Sequence, residues 1–238
     1  MKKIPHPAKF SNELLPILAK YAYGHILDPM GGTGKAGLLK ALNPRITRVT
    51  INELEKEWAE QSNDNNVDEI IIGDARNLSG RYDCIVTSPP YGNRMADNFK
   101  AGKPDSMRRR YVGDLGRQMS DGSVCCAHFG RGYEDLMMSI YDSLLVKVSF
   151  DLFILNVSNF IRHFQEVNVT GWYKNYFQER GFVVLYEELV KTRRQRGVGA
   201  NTLLRVAHES VIVFKYGGRK DNENSDIWGK NGLTNDNL

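Results

Sequence analysis

The chain has 238 residues, 41% hydrophobic and 25% charged, with 32 Lys and Arg against 28 Asp and Glu for a net charge of +4. That length suits one α/β domain with a full core, while no apolar run approaches bilayer-spanning length and no secretory signal opens the chain. Three cysteines, Cys84 inside an apolar run and Cys125-Cys126 adjacent rather than spaced as metal ligands, point to reduced thiols in a cytoplasmic setting and offer no metal site.

Ser11 is placed to cap a first helix from Asn12 to about Tyr21. Tyr23-Gly24-His25-Ile26-Leu27 reads as a strand entering Asp28-Pro29-Met30-Gly31-Gly32-Thr33-Gly34, and Lys35 to Leu42 has the pattern of a helix. Glycines at such a junction allow positive φ and close approach of a ligand to backbone. A second strand, Ile46 to Ile51, ends at Asn52-Glu53, and a third, Glu69 to Ile72, ends at Gly73-Asp74. A fourth, Tyr82 to Val86, closes at Thr87-Ser88-Pro89-Pro90-Tyr91. In open α/β sheets ligands sit at the carboxyl ends of the strands, and four ends here carry polar groups. A carboxylate at the second strand end suits a ribose diol, since it accepts from both hydroxyls.

Two readings of the glycine loop fail. A phosphate-binding loop requires Gly, four residues, Gly-Lys and a hydroxyl residue, whereas Ala36 follows Lys35 and Pro29 stands where the first glycine belongs. Gly32-x-Gly34-x-x-Gly37 is a loose dinucleotide pattern, but Asp28 sits poorly beside a pyrophosphate. The loop better suits a cationic ligand without phosphate, such as a sulfonium. At the fourth strand end, two prolines remove two N–H donors and stiffen the carbonyls beside them. Ser88 adds an acceptor and Tyr91 a flat ring, a set suited to a planar group with an exocyclic amine; an ordinary loop or partner-binding peptide has the same composition.

Between Gly92 and Gly132 lie eight Lys or Arg against four Asp, including Arg94, Arg108, Arg109 and Arg110. A long polar insertion of this kind is a functional loop or a solvated one. Tyr133 to Val146 has helical spacing, Phe150 to Val157 is a buried-strand candidate, and Thr170 to Arg180 is a helix stopped by Gly181. Phe182 to Leu189 and Ser210 to Tyr216 are the last strands. The segment joining them has five basic residues between Lys191 and Arg205 and no acid. Arg193, Arg194 and Arg196 there would face phosphates. The tail from Gly217, rich in Asn, Asp and Gly, has the composition of disorder.

In this order the segments resemble the S-adenosylmethionine-dependent amino-group DNA methyltransferases, which modify N4 of cytosine or N6 of adenine. His6-Pro7-Ala8-Lys9-Phe10 looks like a cofactor motif leading into a helix, Asp28 to Gly34 like the main cofactor loop, and Glu53 to Trp58 like the ribose-binding strand end. Gly73-Asp74-Ala75 is similar to the segment where an acid meets the adenine amine, Ser88-Pro89-Pro90-Tyr91 to the catalytic tetrapeptide, and Arg205 to Phe214 to the final hairpin strand. The resemblance covers nearly all of residues 6–216 and implies a single class I methyltransferase domain, Rossmann-like, with a mixed seven-stranded sheet flanked by helices. It implies S-adenosylmethionine as cofactor, held by Lys9, Phe10, Asp28, Pro29, Gly31, Gly34, Glu53 and Asp74. Ser88, Pro89, Pro90 and Tyr91 would be catalytic, the Ser88 side chain and Pro89 carbonyl gripping the amine while Tyr91 holds the base face-on. Met30-Gly31 departs from the usual aromatic in the cofactor loop. Serine at the head of the tetrapeptide leans toward cytosine N4, with adenine N6 and RNA guanine N2 as alternatives. DNA is the expected substrate, with a restriction or specificity subunit as a candidate partner. A silent nucleic-acid-binding module is the reading outside the enzyme class.

Overall fold

In the computed structural model, residues 4, 6, 11–92, 115–192 and 206–218 are described. Seven strands form the central sheet: β1 (Gly24–Asp28), β2 (Ile46–Glu53), β3 (Glu69–Ile72), β4 (Cys84–Thr87), β5 (Leu152–Val157), β6 (Phe182–Lys191) and β7 (His208–Tyr216). Their order is β6-β7-β5-β4-β1-β2-β3. Strands β1 to β5 pair in parallel, and β7 runs antiparallel to both β5 and β6. The expected mixed seven-stranded sheet is therefore present.

Successive strand residues face opposite sides, so a sheet covered on both faces must be apolar at consecutive positions. Leu27, Ile85, Phe153, Leu155, Ile212 and Phe214 join one core, while their neighbours Ile26, Cys84, Val86, Ile154, Val211 and Val213 join the other. The first face is covered by α4 (Arg131–Lys147) and α5 (Val169–Glu179) and the second by α1 (Leu15–Tyr21) and α2 (Leu39–Leu42); the single turn α3 (Lys56–Ala59) follows β2. In α4, Tyr133, Met137, Ile140, Tyr141 and Leu144 are buried at three- and four-residue spacing, the stripe of a helix lying on a sheet. Asn168 caps α5 by accepting from the Gly171 N–H at 2.8 Å, and Gly181 at φ 84° ends it.

Some expectations shift at their edges. Helix α1 begins at Leu15 rather than Asn12, because Pro16 has no N–H to give and suits a first turn; the Ser11 hydroxyl turns to Glu13 instead of capping. Lys35 to Leu38 is a 3-10 turn leading into α2, and the Asn43 side chain then bonds the Ala19 and Ala22 carbonyls at 2.6 and 2.9 Å, closing the end of α1. Two small ribbons were not anticipated. Gly80–Arg81 pairs with Val148–Ser149, and Phe160–Arg162 pairs with Gln165–Val167.

Candidate active site

The four parallel strands β1 to β4 point their carboxyl ends at one cavity of about 310 Å3. Of the residues singled out by sequence, Asp28, Pro29, Gly31, Glu53, Asp74, Ser88, Pro89, Pro90 and Tyr91 all line it. Gly34 does not. It sits behind the wall at φ 77°, where a Cβ would come within 2.6 Å of the Ser62 side chain, so its task is to let the turn close against the segment that follows α3. Lys9, Phe10, Arg94, Arg108, Arg109, Arg110, Arg193, Arg194 and Arg196 lie outside the described residues, as does the tail from residue 219.

The turn after β1 is held by the strand beside it. The Gly31 N–H donates to the Asn52 carbonyl at 2.8 Å, and the Gly32 N–H donates to Glu53 Oε2 at 2.8 Å. Glu53 Oε1 accepts from the Glu55 N–H at 2.9 Å. Asn52 Nδ2 reaches both the Pro29 and Gly73 carbonyls at 3.1 Å, tying the loops after β1 and β3 to β2. Burial raises the Asp28 carboxyl to about 7, against the Met30 N–H that donates to it and with Glu53 nearby pushing the same way. Burial likewise raises Glu53 to about 7, opposed by the Glu55 and Gly32 N–H groups. Asp74 is the opposite case. Arg76 donates to both its oxygens through Nε and Nη2, at 2.5–3.0 Å, and holds the carboxyl below the usual range.

The rim after β4 is braced from two sides. The Tyr133 hydroxyl donates to the Pro90 carbonyl at 2.5 Å and lies 2.7 Å from the Tyr173 hydroxyl, which must donate to it since a phenol has one proton. Both rings are fully buried between α4 and α5. On the other side Ser88 Oγ lies 3.1 Å from the Tyr91 hydroxyl, and Tyr91 donates to Glu209 Oε2 at 2.8 Å. Asn156 Nδ2 is 3.0, 2.9 and 2.9 Å from Ser88 Oγ, Tyr91 Oη and Glu209 Oε2. The Tyr91 hydroxyl thus has an anchor its expected stacking role does not require.

Glu209 on β7, which also lines the cavity, has no role in the sequence reading, and Asn156 at the end of β5 falls inside the buried-strand candidate Phe150 to Val157. Glu55, inside the Glu53 to Trp58 segment singled out by sequence, is buried to 1% exposure; it accepts from the Ser120 N–H at 2.8 Å and Ser120 Oγ at 3.0 Å and pairs with Arg117 at 2.7 Å. Arg117 also grips Glu57 at 2.6 Å. These bonds fasten the segment bearing Met119, Gly122 and Val124 against the cavity, so Met119 and residues 122–125 of the basic insertion form part of its wall. His6 reaches the same wall, its ring 4.5 Å edge-on from Trp58. The His6-Pro7 motif was the available signal for it.

The residues fit an adenosyl sulfonium. Two buried carboxyls strained toward neutrality would be relieved by a positive charge, Glu53 keeps lone pairs for hydroxyls, and Met30, Leu54, Trp58, Val124 and Ile140 give an apolar lining for a ring system.

The sequence matches no family profile and no curated protein. Solved structures do resemble the fold. A Pyrococcus horikoshii protein whose name proposes an RNA methyltransferase superposes with a TM-score of 0.52 at 16% identity, covering 91% of this chain and 92% of its own. A protein of Listeria monocytogenes described as uncharacterized gives 0.51 at 10% identity over 91% and 72%. A Streptococcus agalactiae protein of the NAD-binding Rossmann superfamily gives 0.50 at 11% over 90% and 72%. The strand order, the mixed sheet and these likenesses together show a Rossmann-like class I methyltransferase fold.

Proposed function

We propose that this protein is an S-adenosylmethionine-dependent methyltransferase acting on the exocyclic amine of a nucleobase, in first place N4 of cytosine in DNA. The observation that carries the reading is the meeting, in one cavity, of the acidic glycine turn after β1 with the serine-headed proline rim after β4. Asp28, Pro29, Gly31 and Glu53 hold the cofactor's charged and ribose portions, and Asp74 borders the adenine. Lys9 and Phe10 are assigned to the cofactor by the family resemblance alone.

An exocyclic amine is a poor nucleophile because its lone pair is delocalised into the ring. Ser88 Oγ accepts one of its N–H groups and the Pro89 carbonyl the other, drawing the nitrogen toward tetrahedral geometry and releasing the pair. The bound cofactor supplies an electrophilic methyl on sulfur. Tyr133 and Tyr173 keep the rim from yielding as the base presses on it. Fixing both reactants in one cavity contributes up to about 7–11 kcal/mol to the acceleration. In a duplex the base is extruded from the stack first.

Nucleic acid is the substrate that the two basic stretches favour. One leaves the cavity wall directly after Gly92, and the other ends four residues before Glu209. Their arginines, Arg94, Arg108, Arg109, Arg110, Arg193, Arg194 and Arg196, contact phosphates. A second reading, amine methylation in RNA, is favoured by the naming of the Pyrococcus horikoshii neighbour. Mass spectrometry of nucleosides from unmethylated DNA and RNA treated with protein and cofactor tests both. N4-methylcytosine in DNA is the expected product, an N-methylated base in RNA alone supports the second reading, and unmodified amines in every substrate refute both.

A further inference from the structure

The cavity holds a polar element that the amine chemistry above leaves unused. Glu209 is a carboxylate only 8% exposed, brought to the rim by the antiparallel pairing of β7 with β5, in which Val211 faces Asn156. Hydrogen positions in its cluster follow from counting donors. A carboxylate only accepts, so the Asn156 amide nitrogen faces Glu209 and the single proton of Tyr91 points to it as well. Tyr91 then has no proton left for Ser88, so across that 3.1 Å contact Ser88 donates. Ser88 Oγ accepts from Asn156 and keeps one lone pair for an incoming N–H. Every hydroxyl proton in the cluster already points away from the serine and toward Glu209.

A serine hydroxyl cannot keep a proton taken from an amine. We infer that Glu209 is the terminal acceptor of the proton the substrate amine loses, reached through Ser88 and Tyr91, an assignment that rests on the amine-methylation reading. As the nitrogen pair forms the new N–C bond, the C–S pair departs with sulfur, leaving a methylated amine bearing one proton too many. Its N–H bond breaks with the electrons staying on nitrogen. That proton passes to Ser88 Oγ, the Ser88 proton to Tyr91, and the Tyr91 proton to Glu209 Oε2. Both hydroxyls are regenerated, and the carboxylate ends as a neutral acid that solvent resets. Asn156, whose two amide protons serve Ser88 Oγ and Glu209 Oε2, positions the chain without changing its own protonation. Of the neighbours on β6 and β7, Val190 opposite Glu209 is apolar, and the Lys191 and His208 pair, one residue along, falls on the alternate face of the sheet.

The test compares wild type with Glu209→Gln, Glu209→Asp, Tyr91→Phe and the double variant Tyr91→Phe/Glu209→Gln. It reads methyl incorporation into DNA and RNA, and separately the Kd for S-adenosylhomocysteine. Glu209→Gln is expected to lower kcat about 100-fold, in the range of lost general-base catalysis, with the nucleic-acid KM and the S-adenosylhomocysteine Kd within about twofold of wild type. Tyr91→Phe, which cuts the chain in the middle, should lose as much, and the double variant should be no slower than Glu209→Gln because the groups act as one unit. Glu209→Asp keeps the charge and should recover part of the rate. A Glu209→Gln enzyme within threefold of wild-type kcat overturns the relay. So does Tyr91→Phe remaining fast while Glu209→Gln is crippled, since Glu209 would then touch the amine directly. Loss of S-adenosylhomocysteine binding in both Glu209 variants would make the residue structural and overturn the relay too. A wild-type protein that binds S-adenosylhomocysteine yet methylates no nucleic acid removes the amine reading itself, and the relay with it.

Discussion

Replacing Asp28 by Asn removes a carboxyl that the fold buries to 1% exposure while leaving an oxygen to accept from the Met30 N–H. The wild-type group has a folded-state pKa of about 7 against an ordinary value of 3.8. Between those values the folded chain binds a proton that the unfolded chain has released, so wild-type stability falls as pH rises through this window and levels off above about 7. Each unit is worth about 1.4 kcal/mol, so Asp28 costs the folded state on the order of 3 kcal/mol between pH 5 and pH 7. Asp28→Asn escapes that loss. Its stability advantage over wild type, read from urea unfolding at a series of pH values, should therefore grow by roughly that amount from pH 5 to pH 7. Glu53 titrates in both proteins, so its own contribution cancels in the difference. Stability curves for variant and wild type that stay parallel from pH 5 to pH 8 would refute the reasoning.

The same two acids should make cofactor affinity depend on pH. Binding of S-adenosylmethionine should tighten from pH 6 to pH 8 as Asp28 and Glu53 ionise toward the sulfonium, by up to about tenfold per carboxyl, while uncharged S-adenosylhomocysteine changes far less; calorimetry with equal slopes for the two ligands would contradict this. Gly34→Ala forces a side chain to φ 77° and against Ser62, and should destabilise by about 2–4 kcal/mol, lowering Tm by on the order of 10 °C in a thermal melt. Arg117→Ala takes the cation from the buried Glu55, so amide exchange across residues 119–125 should quicken while the sheet strands keep their protection.

The strand ends were readable because their chemistry is written in consecutive residues. Asp28 to Gly34, Asn52-Glu53, Gly73-Asp74 and Ser88 to Tyr91 each follow a short apolar run that marks a strand, and the family resemblance implies the sheet that brings these ends to one edge. Glu209 was not readable as a site residue. Glu209 is 118 residues from Tyr91, and it reaches the rim only through the register between β7 and β5, which no local pattern specifies. The tyrosine pair under Pro90 was hidden for a similar reason, since Tyr133 and Tyr173 stand in amphipathic helices as ordinary core aromatics. Their hydroxyls gain meaning only once α4 and α5 lie side by side on the sheet. Ser11 misled because a cap residue was weighed without the proline five positions later, which sets where α1 begins.

One amide spans the gap between two loops that belong to different strands. Because Asn52 grips Pro29 and Gly73 with a single nitrogen, the turn after β1 and the ledge leading to Asp74 share a common hinge pin. A disturbance on either side is passed to the other, so seating a ligand against one loop also sets the height of the second. Substitutions near residue 73 are then felt at the turn after β1, one strand away.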